Sequence, residues 1–186
     1  MNKQTTQSVE TSDKSSAFVQ VIAKRCQQDK GLAAALRRAD NPATEYQSWE
    51  VLAGFHVDLD KPWQRLPYAA IAAAVAKAEI GQNGSAGIGR AIASCYEDRN
   101  ASDQAKAKLR RLLACDSVEE ACRILRPLFS LIKSKSNLQL DFARLLKQLL
   151  KFHWQDQQIK SQWAQDFYGR RNETEDKAAE GTGGAE

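Results

Sequence analysis

The chain has 186 residues, with 27 Lys or Arg against 23 Asp or Glu, a formal charge of +4 and a sequence pI near 8.9. Hydrophobic residues make up 42%, aromatics 8%, and there are 10 Gly and only 4 Pro, which excludes collagen-like, low-complexity and wholly disordered chains. What remains is a soluble globular protein of one domain or two small ones, long enough to bury a core without metal or disulfide staples.

Taken from the N-terminus, residues 1–16 are polar throughout. They are expected to be disordered and, lacking an apolar h-region, not to act as an export signal, which places the protein in the cytoplasm. Phe18, Val21, Ile22 and Cys26 recur at i, i+3, i+4 and i+8, the spacing of an amphipathic helix. Residues 32–39 make a short second helix. Tyr46, Trp49, Leu52 and Ala53 repeat the pattern after the Asn41-Pro42 start signal. Residues 57–66, with Pro62, are expected to be loop. Tyr68, Ile71, Ala72 and Val75 follow Pro67 on an Ala-rich helix whose small side chains let a neighbouring helix approach closely. The apolar run 68–76 falls well short of the roughly 20 residues needed to cross a bilayer, so no membrane association is expected.

A polar stretch at 97–102 is the best boundary between an N-terminal bundle, 17–99, and a C-terminal one, 100–171. Beyond it, 103–114 carries Leu109, Leu112 and Leu113 inward. Ser117 caps the next helix and forms a capping box with Glu120, and Val118, Cys122, Leu125, Phe129 and Ile132 make its stripe. Pro127 removes a backbone donor and clashes with the carbonyl of Arg123, which predicts a kink or restart. Residues 138–153 place Leu138, Phe142, Leu145, Leu149 and Phe152 on one side, and 155–168 do the same with Ile159, Trp163 and Phe167. The tail, 172–186, has one Lys against five acids and reads as disordered. No strand alternation and no internal repeat occur. The fold class is therefore all-α: two small helical bundles joined by a short linker, with disordered termini.

The charge is unevenly placed. With zero on 1–16 and −4 on 172–186, residues 17–171 carry +8, of which +7 lies on 101–171. That asymmetry fits a polyanionic partner or a solvated helix face, and composition alone leaves both open. On a helix advancing 100° per residue, Arg123, Arg126 and Lys133 fall within about 80° of one another, away from the apolar stripe. Arg144, Lys147 and Lys151 make a second face opposite Phe142, Leu145 and Leu149, with Lys133 and Lys135 expected in the loop between. Two adjacent antiparallel helices would then present a positive strip. Few aromatics fall at exposed positions, so phosphate contact without base readout is the expected mode.

Signals for catalysis are weak. His56 and His153 lie far apart in the chain, His153 sits beside Trp154 at a helix end, and no dyad is visible. Cys26, Cys95, Cys115 and Cys122 lack the C-x-x-C spacing of a zinc or thioredoxin site and read as reduced core fillers, so neither metal nor cofactor is expected. The loop 81–90, with Gly81, Gly84, Gly87 and Gly89, fails both G-x-G-x-x-G and the P-loop pattern and follows a helix instead of a strand. It is either a plain connection or a flexible loop whose backbone and Arg90 meet a phosphate backbone.

The blocks Leu112-Leu113-Ala114-Cys115-Asp116, Leu125-Arg126 through Lys135, Asp141-Phe142-Ala143-Arg144-Leu145-Leu146 and Trp163 through Gly169 together resemble the CasB-type small subunit of type I-E CRISPR Cascade complexes. The likeness extends upstream to Gly89-Arg90-Ala91-Ile92-Ala93 and, more loosely, to Leu36-Arg37-Arg38-Ala39 and Tyr68, covering about residues 17 to 170.

This resemblance implies a non-enzymatic, all-helical subunit present as a pair of copies within the complex. It would contact the backbone and large subunits, and its basic residues would face CRISPR RNA and target DNA, including the displaced strand of the R-loop. By the match of blocks the arginines carried over are Arg37, Arg38, Arg90, Arg123, Arg126 and Arg144, while Pro127 departs from the pattern. The alternative is a protein-only scaffold whose basic faces bind acidic patches on partner subunits.

Overall fold

In the computed structural model, the residues described are 3–169, with side chains from Lys14 onward, and they contain helices and no named strand. The first helix, α1 (Lys3–Gln28), extends upstream through the polar stretch expected to lack structure. Its buried face is Phe18, Val19, Ile22 and Ala23, whereas Val21 turns outward at 38% exposure. Asp29 caps α2 (Lys30–Arg38) by accepting from the Leu32 amide at 3.0 Å.

After a turn at 41–44 the chain forms a 3-10 segment (Glu45–Ser48) and α3 (Trp49–Gly54). Val51 and Leu52 are buried here, but Tyr46 and Trp49, expected on the apolar stripe, face solvent. Tyr46 lies in the 3-10 turn and Trp49 at the first position of α3, ahead of Val51 and Leu52, and this segment buries Glu45 and Ser48 in their place.

Helix α4 (Pro62–Ala78) begins five residues before the expected start at Pro67. Pro62 occupies the first turn, where its missing N–H costs nothing. Every residue from Ala69 to Ala76 is buried, so α4 is the central rod of the molecule, and α1, α2, α7 and α8 pack around it. Its alanines make that possible: a helix enclosed on all sides must be apolar all round and thin enough for several neighbours.

The loop after α4 leads to α5 (Ile88–Ala93), a 3-10 turn (Arg99–Ala101) and α6 (Asp103–Leu113), which Ser102 caps through the Ala105 amide. Helix α7 (Val118–Lys135) starts at Ser117, whose hydroxyl accepts from the Glu120 amide at 3.1 Å. The reciprocal half of the expected capping box is displaced by one residue, since the Glu120 carboxylate takes the Asp116 amide instead. At Pro127 the helix does not restart. Pro127 and Arg123 are both exposed, so water can reach the carbonyl that proline leaves without a donor.

Helix α8 (Phe142–Tyr168) joins what the sequence pattern reads as two helices. It starts at Phe142, not at 138, and Gln155 has non-helical dihedrals (φ −131°, ψ 23°). A straight helix would hold residues 144 and 166 about 33 Å apart. Instead Arg144 lies 3.2 Å from Asp166, so α8 folds back at Gln155 into a hairpin of two antiparallel arms. Phe152 stacks on Trp163 at 5.7 Å, and the Trp163 indole donates to Gln148 at 2.8 Å. Gln148 in turn donates to Gln162, so the buried amide is satisfied. Trp163 is fully buried, and its removal to Ala costs about 3–5 kcal/mol by the usual range for a core tryptophan.

One apolar cluster runs from Phe18 to Phe167 and takes side chains from helices on both sides of residue 100. No helix among the described residues is long and apolar enough to cross a membrane.

Candidate nucleic-acid-binding faces

The glycine loop resolves into a packing device. Gly84 N–H donates to Leu140 and Ala86 N–H to Gln139, while the Asp141 amide donates back to Ala86, forming a parallel bridge between 86 and 140. A Cβ on Gly84 would lie 2.0 Å from the Gln139 carbonyl oxygen, and one on Gly89 would lie 2.1 Å from that of Trp163. Glycine is therefore required at both positions by the close approach of another backbone. Asn83 completes the joint by accepting from the Phe142 and Ala143 amides and donating to Asp141, whose carboxylate caps the Arg144 amide. With its first amides already bonded, the start of α8 offers no vacant anion site.

The cations of α7 point to different neighbours. Arg123 is 72% exposed and, among the described residues, pairs with Glu120 alone, one turn away at 3.2 Å. Arg126 turns toward the α2 side of the molecule, where its Nε lies 3.8 Å from Asp40. Asp40 also holds Lys77 of α4 at 2.5 Å. Lys133 and Lys135, expected in a loop, occupy the last turn of α7. Lys133 donates to the Lys77 carbonyl at the end of α4, and Lys135 lies over the Tyr96 ring at 5.8 Å.

Arg37 of α2 meets the same helix end. Its Nε donates to the Ala76 carbonyl at 3.1 Å and its outer nitrogen to Glu79 at 2.6 Å. The last carbonyls of α4 thus receive two cationic donors, which suits the negative end of a helix dipole. Arg37, Arg126 and Lys133 consequently serve the fold as well as the surface. Arg38, at the end of α2, is exposed and makes no ion pair among the described residues.

On α8, Arg144 reaches the return arm, 3.2 Å from both carboxylate oxygens of Asp166. Lys147 and Lys151 follow on the same side, half-buried and outside any ion pair among the described residues. Arg90 is exposed on α5. Of the ten cations singled out from sequence, none is buried.

Other charges escaped the sequence reading. Lys77 is recognisable as a site residue only once Asp40 is known to lie beside it. Lys108, Arg110 and Arg111 form an exposed basic run on α6, and the inward pattern of Leu109 and Leu112 was a signal that could have found it.

All four cysteines are free thiols. Burial pushes Cys115 up to about 11 and Cys122 up to about 12, with the carboxylates of Glu120 and Glu119 adding to it, so neither is a thiolate at neutral pH. Among the described residues no group of His, Cys, Asp and Glu is arranged to hold a metal ion.

The chain is similar to two solved structures over nearly their whole length. A Cse2-family CRISPR-associated protein from Thermus thermophilus aligns with a TM-score of 0.65 and 23% identity, covering 84% of this chain and 98% of that one. M. ruber CasB aligns at 0.62 and 22%, covering 88% and 98%. At such identities the likeness shows a shared helical fold. A comparison with curated protein sequences finds no match. The family model described as CRISPR-associated protein Cse2 matches residues 32–168, from α2 to the end of α8 and well over half of the chain. The resemblance to CasB-type small subunits therefore stands, and the chain belongs to the Cse2 family of CRISPR-associated proteins.

Proposed function

We propose that the protein is the non-catalytic small subunit of a type I-E Cascade complex, and that its basic faces neutralise the backbones of CRISPR RNA and target DNA and retain the displaced strand. In RNA-guided recognition, base pairing reads the sequence, and exchanging a DNA duplex for a heteroduplex is nearly balanced, so a few phosphate contacts tip it. Neighbouring backbone and large subunits, and a second copy of the chain, are the protein partners this role entails, in the cytoplasm.

The observation that carries the reading is that all six arginines of the family-like blocks reach solvent while the apolar residues beside them form the core. Arg suits the task because its planar fork can make two hydrogen bonds to one phosphate.

The double variant Arg123→Ala, Arg144→Ala tests it. Both side chains are off the apolar stripes, and removing each surface ion pair costs about 0–1 kcal/mol, so the fold is retained. The complex carrying the variant should release target DNA at lower salt, with the salt slope reduced by roughly 0.7–0.9 for each phosphate left without its cation. Retention equal to wild type across a salt titration would overturn the assignment. Crosslinks from these positions to protein alone would favour the scaffold reading.

A further inference from the structure

Trp154 ends the cation row of α8. At 100° per residue, Arg144, Lys147, Lys151 and Trp154 fall within about 80° of one another and rise about 15 Å along the first arm. The break at Gln155 follows at once, so the indole stands at the tip of the hairpin, in line with the charges.

Trp154 is 54% exposed. His153 meets it in a T-shaped contact, with centroids 4.0 Å apart and planes at 88°, and His153 is itself held 5.1 Å from Trp63 of α4. Beside this contact more than half of the Trp154 surface stays in solvent. The ring is also braced: its neighbour packs on the central helix, which lowers the ordering cost of a stacked contact. An isolated surface tryptophan would mean little. This one terminates a line of cations, of which Lys147 and Lys151 are not spent on intramolecular ion pairs among the described residues.

We propose that Trp154 is a stacking site for an unpaired nucleobase, with Lys147 and Lys151 taking the adjoining phosphates. The inference rests on the nucleic-acid reading above and specifies it: the occupant of this row is a single strand, because a duplex keeps its bases inside the stack and offers only backbone to an exposed ring. A cationic row selects a polyanion, and a polyanion that also carries planar faces uses both halves of the site. An acidic protein segment would answer the lysines and leave the indole unexplained. The scarcity of aromatics gave base stacking little support from sequence, but the fold exposes a ring where the charge is.

The test uses the full chain and two single-stranded DNA probes of equal length and charge, one with natural bases and one with abasic sites throughout its centre. Wild type should bind the natural strand about 5- to 150-fold more tightly than the abasic one. Trp154→Ala should lose that preference while keeping the salt slope, whereas Lys147→Ala should keep the preference and reduce the slope by about 0.7. Trp154→Phe should restore part of the preference. Equal binding of the two probes by wild type, together with a normal salt slope, would overturn the stacking site and leave the phosphate reading intact. Failure of wild type to bind either probe would overturn the phosphate reading itself. Unchanged DNA binding by Trp154→Ala, with loss of a protein subunit from the complex, would reassign the ring to protein docking.

Discussion

Asp40 faces two cations at once, and Asp40→Asn tests whether they also serve nucleic acid. Its carboxylate lies 2.5 Å from Lys77 Nζ and 3.8 Å from Arg126 Nε, with the carboxylate side chain 14% exposed against 35% and 38% for the two cations. Removing the carboxylate takes from Lys77 its charged hydrogen-bond partner and from Arg126 only a neighbouring charge, at about 1–3 kcal/mol. Because both cations keep about a third of their surface in water and can extend toward it, the lower half of that range, about 1–2 kcal/mol, applies. At about 2–4 °C per kcal/mol for a protein of this size, the melting temperature should fall by about 2–8 °C. The same change removes one negative charge and releases up to two cations for phosphate. Binding to single-stranded DNA should therefore tighten at low salt, and the slope of log K against log salt should steepen by up to about 1.4. Fluorescence anisotropy across a salt titration at roughly 50 to 300 mM, at temperatures below both melting transitions, reads the effect. An unchanged slope and affinity with a lowered melting temperature would show that Asp40 is structural only, and that Arg126 and Lys77 do not reach nucleic acid.

Two further outcomes follow from packing and burial. Gly89→Ala should destabilise the protein by about 1–3 kcal/mol, because the new Cβ would meet the Trp163 carbonyl at 2.1 Å and the Phe167 amide at 2.6 Å, both backbone atoms that cannot rotate aside. Ala is otherwise favoured over Gly in a helix by about 1 kcal/mol, so a rise in the urea midpoint would refute the close approach of α5 to α8. Stability should hold up to about pH 9 and decline above it. Unfolded thiols ionise near 9.0 while native Cys115 and Cys122 keep their protons to about 11 and 12, so the native state binds protons more tightly and loses its advantage as pH rises. Melting curves between about pH 7 and 11 should show a shallower decline in Cys115→Ala, Cys122→Ala, and an equally steep one would refute the assignment.

The C-terminal half was the more legible in sequence because its helices carry narrow apolar stripes. Leu109 and Leu112 on α6, Val118, Cys122, Leu125 and Ile132 on α7, and Ile159, Trp163 and Phe167 on α8 are all buried as their spacing required. Helix α4 was harder to bound, since a segment buried on every side has no polar face to mark its start, and a proline can open a helix as readily as precede one. Tyr46 and Trp49 match the spacing of an apolar stripe, but the segment turns Glu45 and Ser48 inward instead, and spacing alone does not show which side meets the core. The candidate site was half legible. Counting charges located the basic residues, but their destinations were hidden: Lys77 and Asp40 are 37 residues apart, Arg37 and Glu79 are 42 apart, and no local pattern announces either pair.

By itself the sequence determined the helical class, the faces of the longer helices, the concentration of positive charge in residues 101–171 and, through its blocks, the family. These follow from short-range rules, in which 3.6 residues per turn decides which neighbours share a side. Only the tertiary structure decided that α8 doubles back at Gln155, that Gly84 and Gly89 are spacers between backbones, that Arg37 and Lys133 close the end of α4, and that Trp154 comes to stand at the head of a row of cations. Each depends on contacts between segments far apart in the chain, and periodicity carries no information about which distant surface a given face will meet.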